Sequence, residues 1–305
     1  MTDSQLTIVI PVYNRATIVE QTLASVAAQT LRPLAVVLVD NNSSDNTLAV
    51  LQRWAEANSA LDFAVEVITE QRPGAANARN AGLARVTTPW TMFFDSDDIM
   101  LPDHCASAIA TAAANPAAQI IGWDIRIHYP DDSSRVLEFA TSLSLYKAVA
   151  LANFSTLMYM ARTELFCAVG GWSEGASMYD DRELGVRLFL QRPKMAKAKD
   201  GIQVEVYQQY NSISCTNISL EACEPAFQSI EANLLPRHRH WVDLQRLLMT
   251  ATWARHSEGA ADHAHAILSR QPWLRRQLWT LFYHYSLHGG RGVARLYRPF
   301  TFLGI

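Results

Sequence analysis

The firmest constraint on the fold is an alternation of strand and helix signals running through the first hundred residues. Leu6 to Val12 is a short apolar run of the kind that forms a strand buried on both faces. Thr17-x-x-Glu20 has the spacing of a capping box, and Val19, Leu23 and Val26 follow at helical intervals. Ala35 to Val39 predicts a second buried strand, ending in the polar turn Asp40-Asn41-Asn42-Ser43-Ser44, before a helix carrying Leu48, Leu51, Trp54 and Ala55. Val65 to Thr69 is a third strand, Ala75 to Arg85 a third helix, and Trp90 to Phe94 a fourth strand stopping at Asp95. Parallel strands need crossovers, so this order predicts an α/β fold: a mainly parallel, Rossmann-like sheet with helices on both faces.

Beyond residue 100 the pattern becomes mixed. Ile120 to Tyr129 and Arg135 to Phe139 predict a hairpin around Pro130-Asp131-Asp132-Ser133-Ser134. Thr156 to Ala161 and Ile202 to Tyr210 are further strands, and Asp180 to Gln191 is a helix. From about 216 only helical periodicity remains. The organisation expected is therefore residues 1–98 and 99–215 as two halves of one domain, and 216–305 as a C-terminal helical extension.

In open α/β sheets ligands bind beyond the carboxyl ends of the strands. The polar residues there are Tyr13-Asn14, Asp40, Glu70 to Gly74 and Asp95 to Asp98. They are rich in carboxylates and lack G-x-G-x-x-G, which argues against a dinucleotide site. A net charge of −3, with 18% charged and 49% hydrophobic residues, describes an ordinary globular chain and gives no case for nucleic-acid binding. Cys105, Cys167, Cys215 and Cys223 are scattered, without zinc-type spacing, and suit a reducing compartment. Neither a signal peptide nor an apolar run of the ~20 residues needed to span a bilayer is visible, so the expected location is the cytoplasm, free or peripheral on the membrane's inner face.

Asp95-Ser96-Asp97-Asp98 places three carboxylates at the end of a strand, where they repel one another. Mg²⁺ or Mn²⁺ would relieve that repulsion through hard oxygen ligands; the alternative is a solvated acidic turn capping the next helix. Asp180-Asp181 opens a helix, either as dipole-stabilised carboxylates or with one serving as a general base. Arg79, in an Ala-rich helix after Gly74, faces a phosphate or an aspartate, or is ordinary packing. Tyr13 and Asn14 suit a nucleobase as well as plain turn chemistry.

Taken in order, five segments resemble a family 2 inverting glycosyltransferase of the GT-A fold. They are Thr7-Ile8-Val9-Ile10-Pro11-Val12-Tyr13-Asn14-Arg15, Val39-Asp40-Asn41-Asn42-Ser43-Ser44-Asp45-Asn46-Thr47, Ala78-Arg79-Asn80-Ala81-Gly82-Leu83, Phe94-Asp95-Ser96-Asp97-Asp98, and Gly170-Gly171-Trp172 with Asp180-Asp181-Arg182-Glu183. The resemblance spans about residues 5 to 215. It implies a nucleoside-diphosphate sugar as donor, with UDP- or dTDP-sugars favoured, and a hydroxyl acceptor such as a glycan or lipid-linked glycan. It assigns Pro11, Tyr13 and Asp40 to the base, Arg79 to the base and diphosphate side, and Ser96 to the donor. Asp95 and Asp97 become the D-x-D pair, Asp97 the direct ligand of Mn²⁺ or Mg²⁺ and Asp95 near the ribose. Asp181 becomes the general base of a single in-line displacement, with Asp180 and Trp172 on the acceptor side and Arg187 structural.

Three positions depart from the family pattern. Asn41 replaces a frequent second aspartate, Asp180 a glutamate, and Tyr210 the histidine of a late Tyr-Arg-x-His pattern. Two other classes fit parts of the chain. A sugar nucleotidyltransferase would need a Gly-rich basic loop where Pro11 to Arg15 stand, and a catalytically silent glycosyltransferase-like binding module is opposed by Asp97 and Asp181. Residues 263 to 305 contain no Asp or Glu but interleave arginines with aromatics, which suits either a peripheral membrane contact or a packed helical cap. Oligomeric state has no sequence signal here.

Overall fold

The computed structural model describes residues 4–58, 62–150, 154–208, 219–252, 259–290, 293–297 and 299–300. The apolar runs become the strands β1 (Leu6–Val12), β2 (Leu34–Asp40), β3 (Phe63–Thr69) and β4 (Trp90–Phe93). Between them stand the helices α1 (Val19–Ala27), α2 (Thr47–Asn58) and α3 (Ala75–Leu83). All four strands are parallel, in the order β3-β2-β1-β4. The direction of winding reverses between β1 and β4, so the crevice beyond their carboxyl ends is a switch point suited to a ligand.

The expected capping box does not form. The residue before α1 is Ile18, in helical conformation and without a side-chain cap. The amides of Ile18 and Val19 instead donate to the Arg15 carbonyl, so the helix grows out of the preceding turn and Thr17 is not its cap. At the other helix ends the corrections are small; α3, for example, stops at Leu83 rather than Arg85.

Pro11 sits in a central strand, where a missing amide is normally costly. The Val9 carbonyl accepts from Phe94, and residues two apart on a strand face the same neighbour, so Pro11 faces β4's side just past that strand's end. α3 packs onto β1 and β2 at Gly82. A Cβ there would lie 2.3 Å from Val9 Cγ1 and 3.1 Å from Val39 Cγ2, so glycine lets the helix come this close.

The sheet continues through β8 (Tyr159–Arg162), antiparallel to β4, then β6 (Ile120–His128), β9 (Met195–Tyr207) and β5 (Ile99–Met100), with β7 (Ser134–Leu137) hairpinned on β6. Helices α4 (His104–Ala114) and α6 (Thr163–Ala168) accompany these strands in the chain. The predicted strand from Thr156 divides into a 3-10 turn (Thr156–Met158) and β8. β9 begins at Met195 rather than Ile202, and its early residue Lys197 is neutralised by Asp124 at 2.7 Å. Among the described residues, strands from 1–98 and from 99–215 join one nine-stranded mixed sheet.

The chain forms two compact units. The first is Met1–Ser142, Asn153–Glu174 and Leu188–Tyr210; the second is Leu143–Ala152, Gly175–Arg187 and Asn211–Ile305. The second holds α5 (Leu145–Ala150), most of α7 (Asp180–Leu190), α8 (Leu220–Asn233), α9 (His240–Thr252), α10 (Ala260–Ser269) and α11 (Trp273–Leu287). Tyr146, Leu244, Leu247, Ile267, Trp279, Phe282 and Tyr297 form its core. Arg246 is buried there against Glu224 at 2.8 Å and Glu231 at 3.0 Å. No helix among the described residues is long and apolar enough to cross a membrane.

Candidate active site

The carboxyl ends of β1, β2 and β4 bring together the residues expected to bind a donor. Two loops are knitted by side chains acting as local braces. After β1, the amides of Asn14, Arg15 and Ala16 donate to Ser43, Thr47 and Asp45, and Asn14 Oδ1 accepts from Ser44. The brace holds Asn14 at a left-handed φ of 50°, which asparagine tolerates. Tyr13, at the tip of this brace, is 57% exposed and presents its ring to solvent.

Asp40, the last residue of β2, is buried. Its Oδ2 accepts from the Ser43 amide at 3.2 Å, while Oδ1 has no hydrogen-bond partner among the described residues. A buried carboxylate oxygen left open is costly unless a ligand donates to it. Asn41 is fully employed in structure: Nδ2 donates to the Glu70 and Arg72 carbonyls, and Oδ1 accepts from the Gly74 amide. An aspartate there could not make the two donated bonds, so the departure from the family pattern has a local reason.

The three carboxylates after β4 have different surroundings. Asp95 accepts from Arg79 at 2.8 Å. Arg79 is itself buried, with its guanidinium 4.3 Å from the Trp172 ring, and Trp172 is buried edge-on against Phe93. Trp172 is fixed by Asn80, whose Nδ2 donates to the Trp172 carbonyl (2.9 Å) and whose Oδ1 accepts from its amide (2.8 Å). Sequence reasoning missed this role of Asn80, because the partners are 92 residues apart. Asp97 is partly exposed, with Arg15 3.7 Å away; burial and the charge of Asp95 push its carboxyl above the usual range. Asp98 is buried and among the described residues accepts only from the Tyr207 amide (3.1 Å), so burial and the charges of Asp95 and Asp97 push it up to about 8. Ser96 is buried between them.

These residues fit a divalent cation. Two crowded carboxylates are held protonation-prone by burial and mutual repulsion, which an added positive charge would reverse. No group of three or more acidic, histidine or cysteine side chains placed to hold a metal ion is present among the described residues.

Asp180 and Asp181 lie in the second unit, opening α7. Their carboxylates accept from the amides of Asp181 (3.0 Å) and Arg182 (2.6 Å), as first-turn carboxylates do. Glu183, fully buried, is held by Arg187 at 2.6 and 2.5 Å and by Ser229 at 2.6 Å, so Arg187 is structural. Tyr210 falls outside the described residues.

Comparison with known proteins supports the fold. A validoxylamine A glucosyltransferase of Streptomyces hygroscopicus subsp. jinggangensis is 25% identical over 236 residues, covering 66% of this chain and 55% of that protein. Staphylococcus aureus TarS 1–349, solved with UDP-GlcNAc, superposes with a TM-score of 0.64 at 15% identity, over 93% of this chain and 81% of that one. The mannosyltransferase PcManGT of Pyrobaculum calidifontis, solved with GDP-Man and Mn²⁺, gives 0.60 at 19% identity, over 96% and 82%. At these identities the structural likeness carries the fold. The chain spans about half to two thirds of the length of the first curated relatives it matches. The glycosyl transferase family 2 profile matches residues 7–167, more than half of the chain, and with it the strands, switch point and acidic turn that build the site; the chain belongs to glycosyl transferase family 2.

Proposed function

We propose that the protein transfers a sugar from a nucleoside-diphosphate sugar to a hydroxyl acceptor with inversion at the anomeric carbon. The observation that carries this reading is the open, buried Oδ1 of Asp40 at the carboxyl end of β2, on the same edge of the parallel sheet as the Asp95–Asp97 pair after β4. A nucleobase N–H satisfies the first, and a metal-bound diphosphate satisfies the second. Tyr13 offers its exposed ring to the base face. Arg79 is neutralised by Asp95, so it orients that carboxylate toward the ribose rather than adding free positive charge. Asp97 and Asp95 would hold Mn²⁺ or Mg²⁺, which supplies charge neutralisation for the departing nucleoside diphosphate. Asp181 takes the acceptor hydroxyl's proton as that oxygen attacks the face opposite the leaving group, and Asp180 and Trp172 order the acceptor side. The leaving group needs no protein acid, unlike the paired carboxylates of hydrolytic glycosidases. A lipid-linked glycan is the acceptor class favoured by the basic, aromatic C-terminal stretch, which would place the enzyme at the membrane's inner face.

Thermal unfolding with UDP, dTDP or GDP, each with and without Mn²⁺, tests the donor half. One nucleotide should stabilise the protein in a metal-dependent way, and Asp97→Ala should abolish the metal-dependent part. Asp181→Asn should keep that stabilisation and lose transfer. Absence of both nucleotide binding and donor turnover would overturn the enzyme reading in favour of a silent binding module.

A further inference from the structure

β6 and β9 run parallel at their carboxyl ends, where Arg126 pairs with Glu205 and His128 with Tyr207. The alternate residues Ile125 and Val204, with Met100 of β5, are buried in the core. Side chains alternate along a strand, so Arg126, His128, Glu205 and Tyr207 share the outward face of the sheet. β7 widens that face, pairing Val136 with Arg126 and Ser134 with His128. Tyr207 is 45% and Val136 44% exposed.

One carboxylate organises these side chains. Glu205 Oε1 accepts from Arg126 Nη1 at 2.8 Å, and its Oε2 lies 2.6 Å from His128 Nε2. The imidazole, held in this way, stacks on Tyr207 with ring centroids 4.8 Å apart and planes 11° from parallel. A partly exposed ion pair adds little to stability, while fixing four long side chains costs rotamer freedom. What remains unspent indicates the ligand. Arg126 is neutralised by Glu205, so this face has no strong preference for a phosphate or an amine. Among the described residues, Tyr207 Oη, His128 Nδ1 and the Nε and Nη2 of Arg126 make no hydrogen bond. A flat aromatic surface with donors and acceptors at its rim suits a neutral pyranose, which offers a C–H face to the ring and hydroxyls at its own edge.

The position of the cluster matters as much as its chemistry. The Tyr207 amide donates to Asp98 Oδ1 at 3.1 Å, so the stacked rings begin one hydrogen bond away from the acidic turn. β5 runs antiparallel to β9 and pairs Ile99 with Glu205, so the chain leaving Asp97 and Asp98 passes alongside the cluster. Asp40 ends β2, and Tyr13 follows β1; in the sheet order both strands lie on the other side of β4 from β6 and β9. The residues suited to a nucleobase and those suited to a sugar thus flank the acidic turn from opposite sides.

We propose that Arg126, His128, Glu205 and Tyr207 form a subsite for a neutral pyranose of the acceptor, stacked on Tyr207 and hydrogen-bonded at its rim by His128 and Arg126. The inference deepens the proposed function and rests on it only for calling that sugar the acceptor. The test is saturation-transfer difference NMR on the full chain, without nucleotide or metal, with the methyl glycosides of glucose, galactose, mannose and N-acetylglucosamine as probes. At least one probe should receive saturation chiefly on the C–H protons of one ring face. Tyr207→Ala should lower that signal at least ~5-fold, while Tyr207→Phe keeps the flat ring and most of the signal. His128→Ala should lower it by a smaller factor, roughly threefold. These variants keep the Tyr207 backbone amide that binds Asp98, and their melting temperatures are the control for folding. Tyr207→Leu, which keeps apolar bulk without a flat ring, gives the same reading should the alanine variant melt early. No contact with any probe, or a signal that survives the loss of the ring, would overturn the proposal. So would uridine or guanosine making the Tyr207-dependent contact in place of the sugars. Donor hydrolysis measured in parallel separates the two ideas: turnover without probe contact removes the subsite alone, and probe contact without turnover removes the transfer reading alone.

Discussion

The contact between Asn80 and the backbone of Trp172 offers a sharp test of how the donor side is held. Asn80→Asp changes almost no volume and keeps the oxygen that accepts from the Trp172 amide at 2.8 Å. It replaces the Nδ2 donor with an oxygen 2.9 Å from the Trp172 carbonyl. The lost hydrogen bond is worth about 0.5–1.5 kcal/mol, and leaving the part-buried carbonyl opposite a like partial charge adds about 1–3 kcal/mol. The expected destabilisation is therefore about 2–4 kcal/mol, or roughly 5–15 °C in Tm for a unit of this size. The loop cannot escape easily, because Gly171 holds a φ of 70° and has the Asn80 Oδ1 2.5 Å from where a Cβ would stand. Displacing Trp172 removes the ring that lies 4.3 Å from Arg79, and so loosens the Arg79–Asp95 pair. Differential scanning fluorimetry and nucleotide titration read the two consequences: a lower Tm and weaker donor binding. A variant that melts within about 1 °C of the wild type, with unchanged nucleotide affinity, would refute the chain of support from Asn80 to Asp95.

Three further outcomes follow from the same geometry. Asp98 titrates at about 8 in the folded chain against an ordinary 3.8, so the folded state holds a proton that the unfolded state has lost. Its contribution to stability is present below pH 4 and disappears as pH rises through 8, up to about 6 kcal/mol across about four pH units at ~1.4 kcal/mol each. In EDTA, Asp98→Asn should therefore raise Tm at pH 8.5 and not at pH 4, and an equal effect at both would exclude this cause. Gly82→Ala gains about 1 kcal/mol of helix propensity but drives a methyl to 2.3 Å from Val9, so an overpacking cost of about 1–3 kcal/mol should leave a net loss of up to about 2 kcal/mol in urea unfolding. Combining it with Val9→Ala should cost less than the two single losses together. Arg187→Met strips the cation from the fully buried Glu183 and should cost about 3–5 kcal/mol in chemical denaturation, which Glu183→Gln in the same chain should partly restore.

β1, β2 and β4 were legible because a strand buried on both faces must be a contiguous apolar run, and little else produces one of that length. β1 is bounded as the residues predict, while β2 and β3 gain flanking residues and β4 ends one residue early. What was not legible depends on partners far away in sequence. β5 has only two residues and exists because β9 pairs with it. The early part of β9 carries Lys197, whose charge hid the strand until Asp124 of the neighbouring strand answered it. The capping box failed for a similar reason, since the loop from Asn14 to Ala16 is tied to Ser43, Asp45 and Thr47, and its own carbonyl at Arg15 starts the helix.

The acidic turn shows the same limit at the level of chemistry. In sequence Asp95, Asp97 and Asp98 are three equal carboxylates within four residues. Folding makes them unequal. Asp95 has an arginine, Asp97 has a distant one and partial exposure, and Asp98 has a single amide and no counter-charge. A cation arriving with a diphosphate would therefore meet one carboxylate already oriented, one open and crowded, and one that prefers its proton. Under the proposed function that ordering would give Asp97 the leading position, for a physical reason the spacing alone does not contain. Asp98 acts instead as an anchor, since its Oδ1 accepts from the Tyr207 amide and its carbonyl from the Thr22 hydroxyl, which ties the turn between β9 and α1. Asp98→Ala, which unlike Asp98→Asn loses the accepting oxygen, should thus disturb the turn's attachment, whereas removing Asp97's carboxyl should disturb only what binds there.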